Sequence, residues 1–321
     1  MRNKILIIIG DPESINSEII FKSWKRLSKQ IKKNIYLIGS QKLLQDQFKK
    51  LGYKIHIEKV KNVGDNFKSA NLKVIDVKLN YKNPFKVNRK SLYNYIKKSF
   101  DLAHTITTKN QSFKGIINCP IKKDLLQRKN TGITELLASK CLIKNNSEVM
   151  VIRNNKLSVA LITTHNNLKD VSKIINKKLI KTKIKSINSQ FKKIFSKKPK
   201  IAILGLNPHN AELSNNSEEK RIIIPAIKNL KNQNIKVFGP LVSDTIFINE
   251  YKKFDVIVGM YHDQVLGPFK ALFKFNAINL TIGLPYLRVS PDHGVALNLI
   301  GQNKASADSL FECIKFINKY G

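Results

Sequence analysis

Acidic residues are scarce in this 321-residue chain: 22 Asp and Glu stand against 58 Lys and Arg, a formal charge of +36. Such an imbalance points first to nucleic acid or an acidic membrane surface. The lysines, however, are scattered (Lys22, Lys49, Lys82, Lys156, Lys236 and Lys252 among them) rather than gathered into one arm. They accompany abundant asparagine and isoleucine, the signature of A/T-rich codons. The charge is therefore read as drift in composition, with no dedicated nucleic-acid or membrane partner expected. The densest stretch, Lys177 to Lys200, reads as a solvated helix and loop. Cysteine is scarcer still. Cys119, Cys141 and Cys313 form an odd set without CxxC spacing, which argues against a disulfide framework and for a reducing compartment. No apolar run approaches the ~20 residues of a membrane span. The run Ile5 to Ile9 behind Arg2 and Lys4 is cut at Gly10-Asp11-Pro12, too early for a signal peptide. The chain is expected to be soluble and cytoplasmic. Also missing are a linker rich in Gly, Ser or Pro, an internal repeat, and the GxGxxG fingerprint that would announce a nicotinamide site directly.

What is present is an alternation of short β-rich runs with longer amphipathic ones. Ile5 to Ile9, Asn34 to Gly39, Ile55 to Val60, Leu72 to Val77 and Gly115 to Asn118 read as strands, and Ser91 to Lys109 as a surface helix. That pattern predicts an α/β fold with a parallel sheet wrapped by helices. Further on, Glu148 to Arg153 and Lys156 to Thr163 flank Asn154-Asn155, a hairpin signal. A basic helix, a strand at Lys200 to Leu204 and a polar loop from Asn207 to Glu219 follow. The length suits two lobes. The expected division is a first lobe of residues 1–123 plus 271–321 and a second of 124–270.

Three of the six histidines end apolar runs in loop-like settings: His165 after Leu161-Ile162-Thr163-Thr164, His209 in Leu206-Asn207-Pro208-His209, and His262 in Tyr261-His262-Asp263-Gln264. The carboxyl ends of strands line the ligand crevice of an α/β protein, so three such imidazoles are able to converge. Three neutral imidazoles with an open position suit zinc, cobalt or manganese. Their separations match no local metal signature, and spacing alone favours ordinary polar or core histidines over a metal site.

The words around them resemble the 4-hydroxythreonine-4-phosphate dehydrogenase family of vitamin B6 biosynthesis. Gly10-Asp11-Pro12 with Glu18-Ile19 is similar to its opening motif, with Ser14 and Asn16 where glycines are expected. Cys119-Pro120-Ile121-Lys122-Lys123 resembles its Pro-Ile-x-Lys segment. Asn207-Pro208-His209 and Gly239 to Phe247 resemble its next two motifs. Tyr261-His262-Asp263-Gln264 with Lys270, and Gly283 to Gly294, are the most specific stretches. One departure stands out: the family's Gly-His-Thr-Glu is Gly132-Ile133-Thr134-Glu135 here. The usual glycines of the Asn-Pro-His loop are replaced by Ala211, Leu213 and Ser214, while Glu218-Glu219 is kept.

The resemblance implies a homodimer of two-lobed α/β/α subunits, related in fold to isocitrate and isopropylmalate dehydrogenases, with the active site in the interlobe cleft at the dimer interface. It implies one divalent metal per site (zinc, cobalt, manganese or magnesium) held by His165, His209 and His262 drawn from both subunits. It places Thr134, Lys270, Asn279 and Arg288 on a small phosphorylated substrate. NAD or NADP would be the oxidant, with Asp244 or Lys270 transferring protons. The implied reaction oxidises 4-phosphohydroxy-L-threonine to a 3-oxo acid that decarboxylates to 3-amino-2-oxopropyl phosphate, for pyridoxal 5'-phosphate. A dehydrogenase of another phosphorylated hydroxy acid, such as phosphoerythronate, is the alternative that Ile133 favours. A phosphate acyltransferase shares the broad fold but has no use for three metal-binding histidines.

Overall fold

The computed structural model describes residues 3–61, 70–122, 125, 133–143, 145–274 and 276–321. The chain forms two compact units, Met1–Lys129 with Pro285–Gly321, and Asn130–Leu284. The first contains strands β1 (Lys4–Ile8), β2 (Ile35–Gly39), β3 (Ile57–Lys59), β4 (Leu72–Asp76) and β5 (Phe113–Asn118). The second contains β6 (Val149–Arg153), β7 (Ser158–Leu161), β8 (Ile201–Leu204), β9 (Val237–Leu241), β10 (Val256–Gly259) and β11 (Ile278–Ile282). The chain then returns to the first unit with β12 (Leu287–Pro291).

In the first unit the strands lie in the order β3-β4-β2-β1-β5-β12, and every pairing is parallel. Parallel pairing needs crossovers, and helices Asn16–Arg26, Gln41–Lys50, Arg89–Lys109 and Asp308–Tyr320 supply surface for both faces. A strand covered on both faces has no polar side to show. The run Lys4–Ile8 is accordingly buried at every position, with Ile5, Leu6 and Ile8 fully so. The helix expected from Ser91 begins two residues earlier, where the Asn88 side chain accepts from the amides of Lys90 and Ser91.

In the second unit the order is β11-β6-β7-β10-β8-β9. Asn154 makes the hairpin between β6 and β7: its Oδ1 accepts from the amides of Lys156 and Leu157 at 2.8 and 2.9 Å. Beyond this antiparallel corner β7, β10, β8 and β9 run parallel. On the other side β11 pairs antiparallel with β6 from Ile278 opposite Arg153 to Ile282 opposite Val149. That pairing keeps residues 271–284, which the sequence reading assigns to the first lobe, with the second unit. Two further details follow from local geometry. The basic stretch from Lys177 is helical only to Phe195, where Ser196 takes a left-handed conformation. The polar loop after β8 contains a turn at Pro208–Leu213. Among the described residues no helix is long and apolar enough to cross a membrane, and all three cysteines are free thiols.

Candidate active site

The second unit places the three histidines at the same edge of its parallel strands. β10 lies between β7 and β8. His165 follows β7, His209 follows β8 and His262 follows β10, so all three leave the carboxyl ends of adjacent parallel strands. This is where an α/β sheet collects ligands. His262 opens the helix His262–Phe273, and its ring lies 5.8 Å from that of His165, centroid to centroid. His262 Nδ1 also meets Asp263 Oδ1 at 3.0 Å.

His209 has different company. Its Nε2 is 3.7 Å from Asp244 Oδ2 and its Nδ1 3.6 Å from Glu212 Oε1, with the imidazole well exposed. The chain therefore brings His165 and His262 together and sets His209 beside Asp244. Among the described residues of one chain, no group of three or more His, Cys, Asp or Glu is placed to hold a metal ion. The donor chemistry of the three imidazoles fits a borderline divalent metal.

The loop bearing His209 is held from behind by Glu219, which is fully buried. Its Oε1 accepts from the amides of Leu206 and Asn207 at 2.7 and 2.8 Å, and Asn207 Nδ2 donates to Glu219 Oε2 and Glu218 Oε2. Burial pushes the Glu219 carboxyl up. The hydrogen bonds from Asn207, from its own backbone and from Leu206 more than offset this and hold it below the usual carboxylate range. From His209 to Leu213 five successive non-glycine residues have φ between 47° and 58°. Ala211 and Leu213, which stand where the resemblance expects glycine, are among them. Left-handed backbone costs an ordinary residue roughly 1–2 kcal/mol, so this loop stores strain.

The expected substrate residues lie in two places. Thr134 is buried in the helix Ile133–Lys140, and its Oγ1 meets Thr281 Oγ1 at 3.2 Å. Asn279 is two residues before Thr281 on β11, hence on the same face of the strand. Its Oδ1 is closed off from solvent and lacks a hydrogen-bond partner among the described residues, which marks it as an acceptor awaiting a donor. Lys270 sits in the last turn of the helix that His262 opens, two turns along it. Arg288, in the first unit, is 2% exposed on β12 and donates from Nε to Asn118 Oδ1. Ile133 is half-buried as the first residue of its helix; Gly132 and Lys123 fall outside the described residues.

The first unit also carries a built cluster around its opening motif, to which the sequence reading gave no role. Asp11, 1% exposed at the end of the β1 loop, accepts from the amides of Glu13 at 2.9 Å and Lys122 at 3.3 Å. Burial raises its pKa to about 6. Lys122 pairs with Glu13 across the same loops. Ser14 and Asn16, at the positions expected to be glycine, are buried and used. Ser14 Oγ donates to the Asp11 carbonyl, and Asn16 Nδ2 donates to the carbonyls of Asp11 and Pro120, at 3.3 and 2.8 Å. The signal for this cluster lay in Gly10-Asp11-Pro12. Nothing in the sequence announced Asn118 or Thr281.

The family model described as pyridoxal phosphate biosynthetic protein PdxA matches residues 30–317. A 4-hydroxythreonine-4-phosphate dehydrogenase of Sulfurihydrogenibium sp. is 40% identical over 97% of this chain and 96% of its own. A protein of Oceanobacillus iheyensis, provisionally named a D-threonate 4-phosphate dehydrogenase, is 30% identical over 96% of this chain and 95% of its own. The crystal structure of 4-hydroxythreonine-4-phosphate dehydrogenase from Klebsiella pneumoniae superposes with a TM-score of 0.83 at 27% identity, covering 98% of each chain. The chain belongs to the PdxA family.

Proposed function

We propose that the protein is a cytoplasmic, metal-dependent dehydrogenase that oxidises 4-phosphohydroxy-L-threonine with NAD or NADP. The 3-oxo acid formed loses carbon dioxide to give 3-amino-2-oxopropyl phosphate, in pyridoxal 5'-phosphate biosynthesis. The observation that carries this reading, beyond family membership, is the placement of His165, His209 and His262 at the carboxyl ends of three adjacent parallel strands. Within one chain the rings of His165 and His262 are neighbours, while His209 lies beside Asp244. The reading is therefore of a homodimer in which His165 and His262 of one subunit meet the partner's His209. A divalent ion there would supply Lewis acidity at the substrate hydroxyl and at the carbonyl formed from it.

The chain's own residues do the rest. Thr134 and Asn279 offer a hydroxyl and an amide to the substrate's polar groups from one face of the second unit. Arg288 offers a planar fork for phosphate or carboxylate, and Lys270 a point charge. Asp244, at 3.7 Å from His209, would accept the proton of the substrate hydroxyl, and a nicotinamide, when bound, would supply the acceptor for hydride from the hydroxyl-bearing carbon. Lys270 is the second candidate for proton transfer, returning a proton to the carbon that loses carbon dioxide.

A second reading, oxidation of another phosphorylated hydroxy acid such as phosphoerythronate, is favoured by Ile133 and by the Oceanobacillus iheyensis relative. Steady-state NADH formation from 4-phosphohydroxythreonine, phosphoerythronate and D-threonate 4-phosphate separates the two. Turnover confined to the last two substrates would overturn the first reading.

A further inference from the structure

The three histidine loops are not independent, because one buried side chain joins them. Gln264, 7% exposed, lies in the first turn of the helix His262–Phe273. Its Oε1 accepts from the amide of Met260 at 2.7 Å, two residues before His262. Its Nε2 donates to the carbonyl of Gly205 at 2.7 Å, where the chain leaves β8 towards His209. The Met260 carbonyl in turn accepts from both the amide and the hydroxyl of Thr163, at 3.2 and 2.7 Å, two residues before His165. Thr163 is 3% exposed. A continuous chain of bonds thus runs Thr163–Met260–Gln264–Gly205 across the ends of β7, β10 and β8.

Close packing accompanies these bonds. A Cβ on Gly205 would fall 2.0 Å from Asn210 Oδ1, and one on Gly259 would fall 2.7 Å from Val265 Cγ1 and 3.1 Å from Gln264 Oε1. Gly205 lets the His209 loop fold back over its own start, and Gly259 lets the helix of His262 close with Gln264 against the end of β10. Of the common side chains of this length, only glutamine offers an acceptor to one loop and a donor to the other. Glutamate keeps the acceptor and loses the donor, and leucine loses both.

We infer that Gln264, with Thr163, is a positioning residue: it fixes the loops that present His165 and His262 to one metal site and ties them to the loop that presents His209 to the partner's site, and so sets metal affinity. This rests on the histidine metal site proposed above. Groups that orient metal ligands change affinity by about 10- to 100-fold when removed.

The test is a Co(II) titration of the full-length, metal-stripped protein, followed by visible d–d absorption. The expected result is stoichiometric binding by wild type, with Gln264→Glu and Thr163→Val each weakening Co(II) at least about tenfold and changing the band. Thr163→Ser, which keeps the hydroxyl, restores both. Val265→Ala, a core truncation beside the amide, lowers thermal stability but leaves the Co(II) dissociation constant and band as in wild type. Should Gln264→Glu fail to fold, the Thr163→Val and Thr163→Ser pair carries the test. Wild-type affinity and band in Gln264→Glu or Thr163→Val, or equal weakening by Val265→Ala, overturns the positioning role and leaves the metal site standing. Absence of stoichiometric Co(II) binding by wild type overturns the metal site, and the inference with it.

Discussion

Arg288 donates from Nε to Oδ1 of Asn118 at 2.7 Å, and the two side chains are 2% and 1% exposed. β12 lies beside β5 with Arg288 in register with Ile116, and Asn118 closes β5 two residues on. The bond fixes the plane of the guanidinium, so the direction of its terminal fork depends on a residue that need not touch substrate. Asn118→Leu keeps the volume and removes the acceptor. It should lower unfolding free energy by about 1–3 kcal/mol. With Arg288 as a substrate ligand, it should also raise KM for 4-phosphohydroxythreonine about tenfold at little cost in kcat. Denaturant unfolding and steady-state kinetics check both. A fall in kcat at unchanged KM would contradict the assignment of Arg288.

The His209 loop should gain stability from glycine. Leu213 is half-exposed with φ 53°, and Ala211 has φ 48°. Relief of left-handed strain, roughly 1–2 kcal/mol, exceeds the ~0.5–1 kcal/mol of extra chain entropy that glycine brings. Leu213→Gly and Ala211→Gly should each raise Tm by about 2 °C. A lower Tm in both would show that the side chains hold the loop more than the backbone strains it.

Asp11 makes stability depend on pH. Its folded pKa, pushed up by burial to about 6, lies above the ordinary value of 3.8. The folded state therefore binds the proton more tightly than the unfolded one. The stabilisation is fully present below about pH 4 and is lost as pH rises through 6. Asp11→Asn cannot titrate. The stability of wild type relative to Asp11→Asn should fall by on the order of 2–3 kcal/mol between pH 4 and pH 7.5. Urea unfolding across that range measures the difference, and a difference independent of pH would contradict the shifted carboxyl.

Ile133 starts the helix Ile133–Lys140, where backbone amides already favour an anion. An imidazole there adds one charge-assisted hydrogen bond to a phosphate, worth roughly 1.5–3 kcal/mol. Ile133→His should lower KM for 4-phosphohydroxythreonine about tenfold or more with kcat nearly unchanged. An unchanged KM would mean that another cation has taken over the contact.

The fold was legible where burial leaves a pattern. Ile-rich runs covered on both faces, and an Asn-Asn turn, locate β1, β2, β4 and the β6–β7 hairpin to within a residue or two. The histidines were found through the motifs around them and not through their spacing, because strand order rather than chain order makes β7, β10 and β8 neighbours. The supports were not legible for the same reason. Asn118 and Arg288, Thr134 and Thr281, and Gln264 and Gly205 are each far apart in sequence and meet only through the sheets. Ser14 and Asn16 read as lost glycines, whereas the Ser14 side chain braces its own loop and that of Asn16 ties it to the loop of Pro120. The pairing of β11 with β6 leaves no local mark in the sequence.

The central claim is that His165 and His262 of one subunit and the partner's His209 form one metal site. Mixing His209→Ala with His262→Ala tests it most directly. Each variant alone should be inactive, with little bound metal. In a purified heterodimer one of the two symmetry-related sites regains all three imidazoles, so about half of wild-type activity and one bound metal per dimer should return. A heterodimer as inactive and as metal-free as its parents would contradict the shared site.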